Sequence, residues 1–513
     1  MARKKQESLE KVLWLTANRL KKNVDAAEYK HVVLGLVFLR YISYAFDNLH
    51  SKLKEGKGEY EGADPEDKDE YKGENIFFVP QKARWSFIQD NAKNVEIGKL
   101  IDSAMEDIER ENSRLKGVLP KVYVKENLDT SSLGILIDMI GNIDLGDATG
   151  SNSDVLSYVF KYLLGEFALA EGKKGGQFYT PSSVVELLVQ MLEPYKGRIM
   201  DPCCGSGGMF VQSEKFVLQN RGKLSDISVY GQESNQTTWR LAKMNLAIRG
   251  IDSSQVKWNN EGSFLRDEHK DIKADYIVAN PPFNDDDWSD SSLNKDCRWQ
   301  YGVPPASNAN YAWIQHFLHH LSPSGQAGFV LSKSSLTTKA SGEDDIRRNL
   351  VEAGLVDCIV NLPTKLFLNT QIPACMWFIS RDRENNGKFR NRKDEILFID
   401  ARYLGNLISR RNRQLSRDDI SLISDTYHNW RNIDGNYLDI PGFCKSENIE
   451  RVKELDCVLM PGCYVGLANN EEKEFDFSER FMSLKTILEM QLKDEDKINK
   501  SIITNLSKID MNT

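Results

Sequence analysis

After about residue 165 the sequence alternates short apolar runs with stretches of helical periodicity, and this alternation restricts the fold more than any other feature. Strands separated by helices form a mostly parallel sheet with helices on both faces. The predicted strands are Arg198–Asp201, Ser228–Glu233, Ala274–Ala279, Ala327–Leu331, Val356–Val360 and Cys375–Ile379. The predicted helices are Val184–Leu192, Thr237–Arg249, Tyr311–Leu321 and Asp344–Glu352. The central region is therefore predicted to be a doubly wound, Rossmann-like α/β domain.

The sequence on either side of this region has a different character. From about Leu9 to Leu49, and again from Trp85 to Met139, apolar residues recur at helical spacing. Near the other end, Phe481–Leu506 has the pattern of an amphipathic helix whose apolar face needs a partner, either in its own chain or in another subunit. We therefore predict a helical N-terminal domain (1–165), an α/β domain (166–402) and a C-terminal region with a partly helical tail (403–513).

The formal net charge of −8 argues against a free-standing, strongly basic DNA-binding protein, because nonspecific affinity for DNA depends on Lys and Arg. If the substrate is DNA, a partner should supply part of the contact. No apolar run approaches the roughly 20 residues that span a bilayer, and the first eight residues lack the apolar segment of a signal peptide. We therefore expect a cytoplasmic location and no membrane partner.

The sequence offers little for a metal site. The eight cysteines have no Cys-x-x-Cys spacing, so reduced thiols are expected. His316, His319 and His320 fall on one predicted helix, but no acidic or cysteine residue accompanies them at ligand spacing. We predict that the chain has no metal site.

A turn rich in small residues follows the first predicted strand. Asp201 ends this strand, and Pro202–Gly208 contains three glycines, at the edge of the sheet where ligands bind in such folds. Glu233 ends the next strand, where a carboxylate can accept hydrogen bonds from both hydroxyls of a ribose. A glycine turn alone can also hold a dinucleotide or permit tight packing, and a lone glutamate can be a solvated residue. Together they predict a nucleoside pocket, and the lack of a following Gly-Lys-Ser or Gly-Lys-Thr argues against a triphosphate site.

The third predicted strand ends in Asn280-Pro281-Pro282-Phe283. The prolines stiffen the turn and remove two N–H donors, which leaves the Asn280 amide oxygen and the Pro281 carbonyl as acceptors. Two acceptors suit an amino group with two hydrogens. An amino group on a nucleobase is a poor nucleophile because its lone pair is delocalised into the ring. Acceptors placed to favour a pyramidal nitrogen would localise that lone pair, and Phe283 offers a stacking face.

These motifs resemble a known family. Asp201–Gly208 and Asn280–Phe283 resemble the two signature motifs of amino-group DNA methyltransferases. Gly176–Pro181 resembles an additional cofactor-binding segment of the same enzymes, and Tyr301–Pro305 with Ala309–Trp313 is similar to a segment of type I modification subunits. The resemblance implies the modification (methyltransferase) subunit of a type I restriction-modification system. Its implied reaction moves a methyl group from S-adenosylmethionine to the N6 amino group of a flipped adenine, because Asn at position 280 is usual for adenine enzymes whereas many cytosine enzymes have Ser.

The resemblance also assigns roles to individual residues. Those implied to contact S-adenosylmethionine are Gly176, Gln177, Phe178, Tyr179, Thr180, Pro181, Asp201, Gly205, Ser206, Gly207, Gly208 and Glu233. Those implied to hold the adenine are Asn280, Pro281, Pro282 and Phe283. The implied partners are double-stranded DNA, a specificity subunit, a second copy of the modification subunit and an endonuclease/translocase subunit. The recognition sequence is not encoded here, because a specificity subunit reads the bases.

Two other interpretations remain open at this point. The first is a methyltransferase that acts on another planar amino or amide group, such as a release-factor glutamine or a guanine of ribosomal RNA, although those enzymes are usually much shorter. The second is a dinucleotide-binding scaffold without methyl transfer. The scaffold explains the sheet and Glu233 but gives no function to Asn280–Phe283.

Overall fold

The chain is divided into two compact units, Met1–Val465 and Gly466–Thr513. The computed structural model describes residue 14 and residues 26–124, 128–143, 153–171, 180–367, 370, 372–409, 412–467 and 477–506. The smaller unit contributes one described helix, Phe477–Leu506, and everything else below concerns the larger unit.

The centre of the larger unit is a sheet of nine strands among the described residues. The strands are β1 (Gly197–Asp201), β2 (Ile227–Glu233), β3 (Val256–Trp258), β4 (Ala274–Ala279), β5 (Leu321–Ser332), β6 (Val356–Asn361), β7 (Ala374–Ser380), β8 (Glu395–Asp400), β9 (Asn406–Leu407), β10 (Arg413–Gln414) and β11 (Cys444–Asn448), of which β9 and β10 form a separate ribbon. The sheet order is β11-β8-β6-β7-β5-β4-β1-β2-β3. Strand β7 is antiparallel to β5 and β6, β11 is antiparallel to β8, and the other neighbours are parallel.

Helices precede the sheet and cover its faces. The helices are α1 (Ala26–Glu55), α2 (Lys68–Gly73), α3 (Trp85–Asp90), α4 (Ile97–Glu111), α5 (Thr130–Gly141), α6 (Ser153–Glu171), α7 (Ser182–Leu192), α8 (Gly208–Gln219), α9 (Gln236–Ala247), α10 (Gly262–Leu265), α11 (Asn310–His320), α12 (Glu343–Glu352), α13 (Arg417–Arg431), α14 (Ile449–Glu454) and, in the smaller unit, α15 (Phe477–Leu506). Helix α4 shows why such segments are helical, because its buried residues recur every three or four positions and form one apolar stripe.

The predicted α/β class with a helical N-terminal region is confirmed, and each of the six predicted strands lies within or overlaps an observed strand. Three sheet strands were not predicted: β3, β8 and β11. Helix α13 was also not predicted. Because β11 pairs with β8, the sheet includes residues that follow position 402. The domain boundary at residue 402 is not tested by this pairing and stays a prediction.

Helix α1 is the centre of the N-terminal helices. Its residues from Tyr29 to Leu39 are buried on all sides, and the Tyr123 hydroxyl donates a hydrogen bond to the carbonyl of Val32 at 2.9 Å. A Cβ on Gly35 would lie 2.4 Å from that hydroxyl, so this close approach requires glycine. By length and composition the segment Tyr29–Glu55 could cross a membrane, and its burial identifies it as the core helix of this domain.

The N-terminal helices and the sheet region form a continuous structure. Leu241 and Met244 of α9, and Ile248 directly after this helix, belong to the same buried cluster as apolar side chains of α1 and α6. The Arg240 guanidinium also donates a hydrogen bond to the carbonyl of Gly117 at 3.1 Å. The helical domain is therefore held against the edge of the α/β domain that contains β2 and β3.

A buried ion pair stabilises the other half of the sheet. Asp357 in β6 is fully buried, and its Oδ1 accepts hydrogen bonds from Nε of Arg383 at 2.9 Å and of Arg392 at 3.2 Å. The hydroxyl of Tyr427 in α13 donates to Oδ2 at 2.6 Å. Burial alone would raise the pKa of Asp357, but the charges of Arg392 and Arg383 outweigh burial and lower the pKa to about 2. Because the folded pKa lies below the ordinary value of about 3.9, this carboxylate stabilises the fold above about pH 4 and loses that contribution toward pH 2.

We predict that Asp357→Asn lowers the free energy of unfolding by about 3 kcal/mol or more, because it leaves two buried guanidinium groups without their counter-charge. Glu384→Gln is the control, because it removes an exposed ion pair with Lys393, 3.4 Å apart, and should cost less than about 1 kcal/mol. Urea unfolding at pH 7, followed by tryptophan fluorescence, measures both. Equal shifts for the two variants would show that the buried pair has no special role.

Candidate functional site

The site lies where the direction of the sheet changes. Strand β1 pairs in parallel with β2 on one side and with β4 on the other, and the register places Asp201 beside Gly231 and Met200 beside Ile277. The chain leaves β1 and β4 toward opposite edges of the sheet, which opens a crevice between their carboxyl ends. Both sequence motifs, the glycine turn after β1 and the turn that begins at Asn280, lie at this crevice.

The glycine turn is fixed to the end of β2 by two hydrogen bonds. The backbone N–H of Cys204 donates to the carbonyl of Gln232 at 2.9 Å, and that of Gly205 donates to Oε2 of Glu233 at 3.0 Å. Gly205 has a φ of +53° and Gly207 one of +76°, which favours glycine at both positions. A Cβ on Gly205 or Gly208 would meet nothing within 4 Å, so both positions border open space that a ligand can fill.

Two carboxyl groups lie beneath this turn. Glu233 also accepts a hydrogen bond from the backbone N–H of Asn235 at 2.8 Å; burial raises its pKa, and the hydrogen bonds from Asn235 and Gly205 partly offset that rise. Asp201 accepts a hydrogen bond from the backbone N–H of Cys203 at 3.1 Å, and burial, with a smaller contribution from the charge of Glu233, raises its pKa to about 7. Burial also raises the pKa of the Cys203 and Cys204 thiols, so neither is a ready thiolate nucleophile.

Two cavities meet at this turn. The lysine cavity is lined by Lys161, Thr180, Asp201, Ser206, Gly208 and Arg249, among others. The aromatic cavity, of about 430 Å³, is lined by Glu233, Ser263, Phe264, Pro282, Trp288 and Trp313, among others. Cys203, Gly205 and Asn280 border both. One elongated ligand can therefore occupy both cavities and pass Asn280.

Asn280 has one amide atom in use and one without a partner. Its Nδ2 donates a hydrogen bond to Oγ1 of Thr180 at 2.9 Å. Its Oδ1 is buried and has no hydrogen-bond partner among the residues that the structure describes. A buried acceptor without a donor costs about 1–3 kcal/mol, so the site is suited to a ligand that brings an N–H or O–H group to this oxygen.

Phe283 does not line either cavity. The ring is only 7% exposed and packs edge-on against Phe367, with 5.7 Å between the ring centroids. The aromatic cavity instead presents Phe264, whose ring centroid lies 4.3 Å from that of Trp313 and 4.9 Å from that of Trp288. With so little of the ring exposed, a base can stack on Phe283 only after local rearrangement around this side chain.

The structure brings most of the described predicted residues together. Those that line the two cavities are Thr180, Asp201, Gly205, Ser206, Gly208, Glu233, Asn280 and Pro282. Pro181, Gly207 and Pro281 lie beside them in the chain without lining either cavity, and Gly176–Tyr179 fall outside the described residues. Other lining residues were not predicted from the sequence because they belong to none of the motifs, among them Lys161, Arg249, Phe264 and Trp288.

The histidines of α11 have an acidic companion that the sequence analysis did not find. Nε2 of His320 lies 2.8 Å from Oδ2 of Asp267, and the two residues form a cluster with His316 that has the composition of a metal site. The guanidinium of Arg298, however, donates to Nδ1 of His316 at 3.0 Å, which leaves the ring proton on Nε2 and removes that atom as a ligand. Arg298 also donates to the carbonyls of Ser263 and Phe264, so the cluster supports the wall of the aromatic cavity.

Comparison with known proteins agrees with this geometry. The N-6 DNA methylase family matches residues 151–473, and the HsdM N-terminal domain matches residues 9–140. The type I restriction enzyme HindI methylase subunit of Haemophilus influenzae is 42% identical over 83% of this chain and 99% of its own length. The MjaIX methylase subunit of Methanocaldococcus jannaschii is 35% identical over 96% of this chain and 90% of its own length.

A solved structure has the same fold. The crystal structure of a type I restriction-modification methyltransferase subunit from Streptococcus thermophilus superposes with a TM-score of 0.75, covering 89% of this chain and 99% of that chain at 22% identity. The family match extends over more than half of the chain, and it includes the glycine turn, Glu233 and Asn280. The chain therefore belongs to the N-6 DNA methylase family of adenine-specific DNA methyltransferases, among the methylase subunits of type I restriction enzymes.

Proposed function

We propose that this chain transfers a methyl group from S-adenosylmethionine to the N6 amino group of an adenine that has been flipped out of double-stranded DNA. The observation that carries the proposal is the buried Oδ1 of Asn280 at the junction of the two cavities, which has no hydrogen-bond partner within the described part of the chain. The amino group of a base must leave the duplex to reach an acceptor in such a crevice.

The residues at the crevice fit the cofactor. Glu233 has the acceptor oxygens that a ribose diol requires, and the open space beside Gly205 and Gly208 lets a ligand approach the backbone closely. The residues proposed to hold the cofactor are Gly176 to Pro181, Asp201, Gly205 to Gly208 and Glu233. When bound, S-adenosylmethionine supplies an electrophilic methyl group on a sulfonium. The chain itself orients the nucleophile and the cofactor toward each other.

Asn280 is the residue that prepares the nucleophile. Its Nδ2 bond to Thr180 fixes the amide plane, so Oδ1 accepts one hydrogen of the amino group in a set direction, with the Pro281 carbonyl as the proposed acceptor of the second. Such preorganised acceptors cost no rearrangement at the moment of reaction and stabilise the positive charge that develops on the nitrogen. Pro282, Trp288 and Trp313 line the cavity beside Asn280, and a base that fills this cavity would displace water and thereby strengthen these hydrogen bonds.

The base itself needs an aromatic neighbour. The family resemblance gives this role to Phe283, and because this ring is buried, stacking on it requires local rearrangement. Trp288 and Trp313 already line the cavity. Base stacking on aromatic rings tolerates every base, so this wall contributes affinity rather than sequence selection.

The proposed partners are duplex DNA, a specificity subunit, a second modification subunit and an endonuclease/translocase subunit. Because the net charge of the chain is −8, a partner is proposed to supply much of the positive charge that contacts DNA. Helix α15 exposes Phe481, Met482, Leu488, Leu492 and Ile498, which is a large apolar surface for one helix. We assign this helix to contact with the specificity subunit, and we place the assembly in the cytoplasm without a membrane.

Digestion of DNA modified by the assembled complex tests the proposed reaction. Separation of its nucleosides by mass spectrometry should detect N6-methyladenine, in an amount that depends on S-adenosylmethionine. N4-methylcytosine without N6-methyladenine would show that the methylated base is cytosine and not adenine. Unmodified DNA, together with a nucleotide retained by the purified chain, would favour the scaffold interpretation.

The roles of Asn280 and Glu233 predict opposite effects on binding and rate. Asn280→Ala should lower methylation by roughly 100-fold while the Kd for S-adenosylmethionine changes by only a few-fold, because its oxygen faces the base. Glu233→Ala should raise that Kd about 10-fold or more, because it removes the acceptors of the ribose.

Calorimetry with S-adenosylmethionine and single-turnover methylation separate the two effects. Glu233→Gln keeps one acceptor oxygen for the N–H of Gly205 and serves as the conservative control, with a smaller loss of affinity expected. If Asn280→Ala lost cofactor affinity and rate in equal measure, Asn280 would not be the acceptor of the substrate amino group.

The apolar face of α15 should determine assembly without affecting the cofactor site. The double variant Leu488→Ser with Leu492→Ser should reduce copurification with the specificity subunit several-fold and leave cofactor affinity unchanged. Lys493→Ser is the matched control, because Lys493 adjoins Leu492 in the chain but lies about a third of a turn around the helix from Leu488 and Leu492, and this variant should assemble normally. Size-exclusion chromatography of the coexpressed subunits measures assembly, and normal assembly of the double variant would exclude this contact. The same experiment with a chain that ends at residue 480 should give the stronger loss.

A further inference from the structure

We propose that Lys161, on helix α6, binds the α-carboxylate at the amino-acid end of S-adenosylmethionine. The inference rests on the proposed function, and it adds a cofactor-binding residue outside the glycine turn and the other quoted motifs. It would make a helix that packs against the N-terminal domain part of the cofactor site.

The arrangement of the two cavities determines which end of the ligand meets Lys161. Glu233, the proposed ribose acceptor, lines the aromatic cavity and not the lysine cavity. Gly205 and Cys203 border both, so a ligand that begins at Glu233 passes the glycine turn as it enters the lysine cavity. With the nucleoside at Glu233, the amino-acid end therefore lies among the residues of the lysine cavity.

The lysine cavity has the charge that a carboxylate requires. Two cationic side chains, Lys161 and Arg249, line it, and Asp201 is the carboxyl group among its lining residues. Burial raises the pKa of Asp201 to about 7, so much of its negative charge is absent at neutral pH. Partial burial and the nearby charges of Lys215 and Arg249 lower the pKa of Lys161, and the charge of Glu186 offsets part of that shift, so the cationic side chains predominate around this lysine.

Two further groups add to this potential. Arg249 donates a hydrogen bond to the carbonyl of Asn245 at 2.8 Å, and Nδ2 of Asn245 donates to the carbonyl of Ser206 at 2.7 Å, which ties the guanidinium to the glycine turn. Helix α8 begins at Gly208 in the wall of the cavity, and its N-cap, Gly207, has no side chain to satisfy the first N–H groups. The helix dipole therefore acts in the same direction as the two cations.

Packing of α6 sets the direction of Lys161. Phe160, Leu163 and Phe167 are buried in the apolar cluster that α6 shares with α1. Lys161 and Leu164 are three residues apart on one face of the helix, and both line the lysine cavity. The apolar contacts of α6 thus direct a lysine of an otherwise core-forming helix toward the ligand site.

The test compares a ligand that has the carboxylate with one that lacks it. Calorimetry on the full-length chain would use S-adenosylmethionine and 5′-methylthioadenosine, which keeps the nucleoside but has no amino-acid end. Lys161→Met should raise the Kd for S-adenosylmethionine about 10-fold or more and leave the Kd for 5′-methylthioadenosine within two-fold of the native value. Lys161→Arg should restore most of the affinity.

Lys215→Met is the matched control, because Lys215 is a neighbouring lysine that does not line the cavity, and neither Kd should change. An unchanged affinity of Lys161→Met for S-adenosylmethionine would overturn the inference while the proposed function stands. An equal loss for both ligands would also overturn it, because it would indicate a structural role. Failure of the native chain to bind either ligand would overturn the proposed function itself.

Discussion

The parallel pairing of β1 with both β2 and β4 is the constraint on which the site depends. Backbone hydrogen bonds fix the heights of the three strands, so Asp201, Glu233 and Ala279 end at the same edge of the sheet. The turns that follow can then differ in sequence and still meet. Residues about 80 positions apart in the chain, at the glycine turn and at Asn280, become neighbours through this pairing, and the hydrogen bond between Gly205 and Glu233 adds a local link.

The edge of the sheet at which these strands end also explains which parts of the structure could be predicted from the sequence. The position of a strand-ending motif such as Asn280–Phe283 can be predicted from the sequence, because an apolar run ends where the polar turn begins. Strand β11, Cys444–Asn448, has no such run and is a strand because β8 offers an open edge, so its sequence carried no signal. Strand β3 has only three residues, which is too short for a pattern. The location of Lys161 depends on how α6 packs, and a lysine on an amphipathic helix is indistinguishable in sequence from a solvated one.

The two buried aspartates show how position within one sheet changes the chemistry of one residue type. Asp357 lies between Arg383 and Arg392 and stays ionised to low pH. Among the residues that the structure describes, Asp201 accepts hydrogen bonds from the amide and the thiol of Cys203, and burial is the largest influence on its pKa, which it raises to about 7. The first stabilises the sheet as a charge. The second carries less negative charge at neutral pH than an ordinary carboxylate, which favours the anion that is proposed to bind in the same cavity.

The N-terminal helices contribute to the site through a sequence of contacts. The residues of α1 from Tyr29 to Leu39 are buried, in part by packing against α6, and the apolar cluster continues into α9, which follows β2. Helix α6 is thereby held over the glycine turn with Leu164 in the wall of the lysine cavity. If this helix moved, the cavity would lose one wall while the sheet and its turns remained in place. The α/β domain therefore supplies the reacting geometry, whereas enclosure of the lysine cavity depends on a helix whose position the N-terminal domain determines.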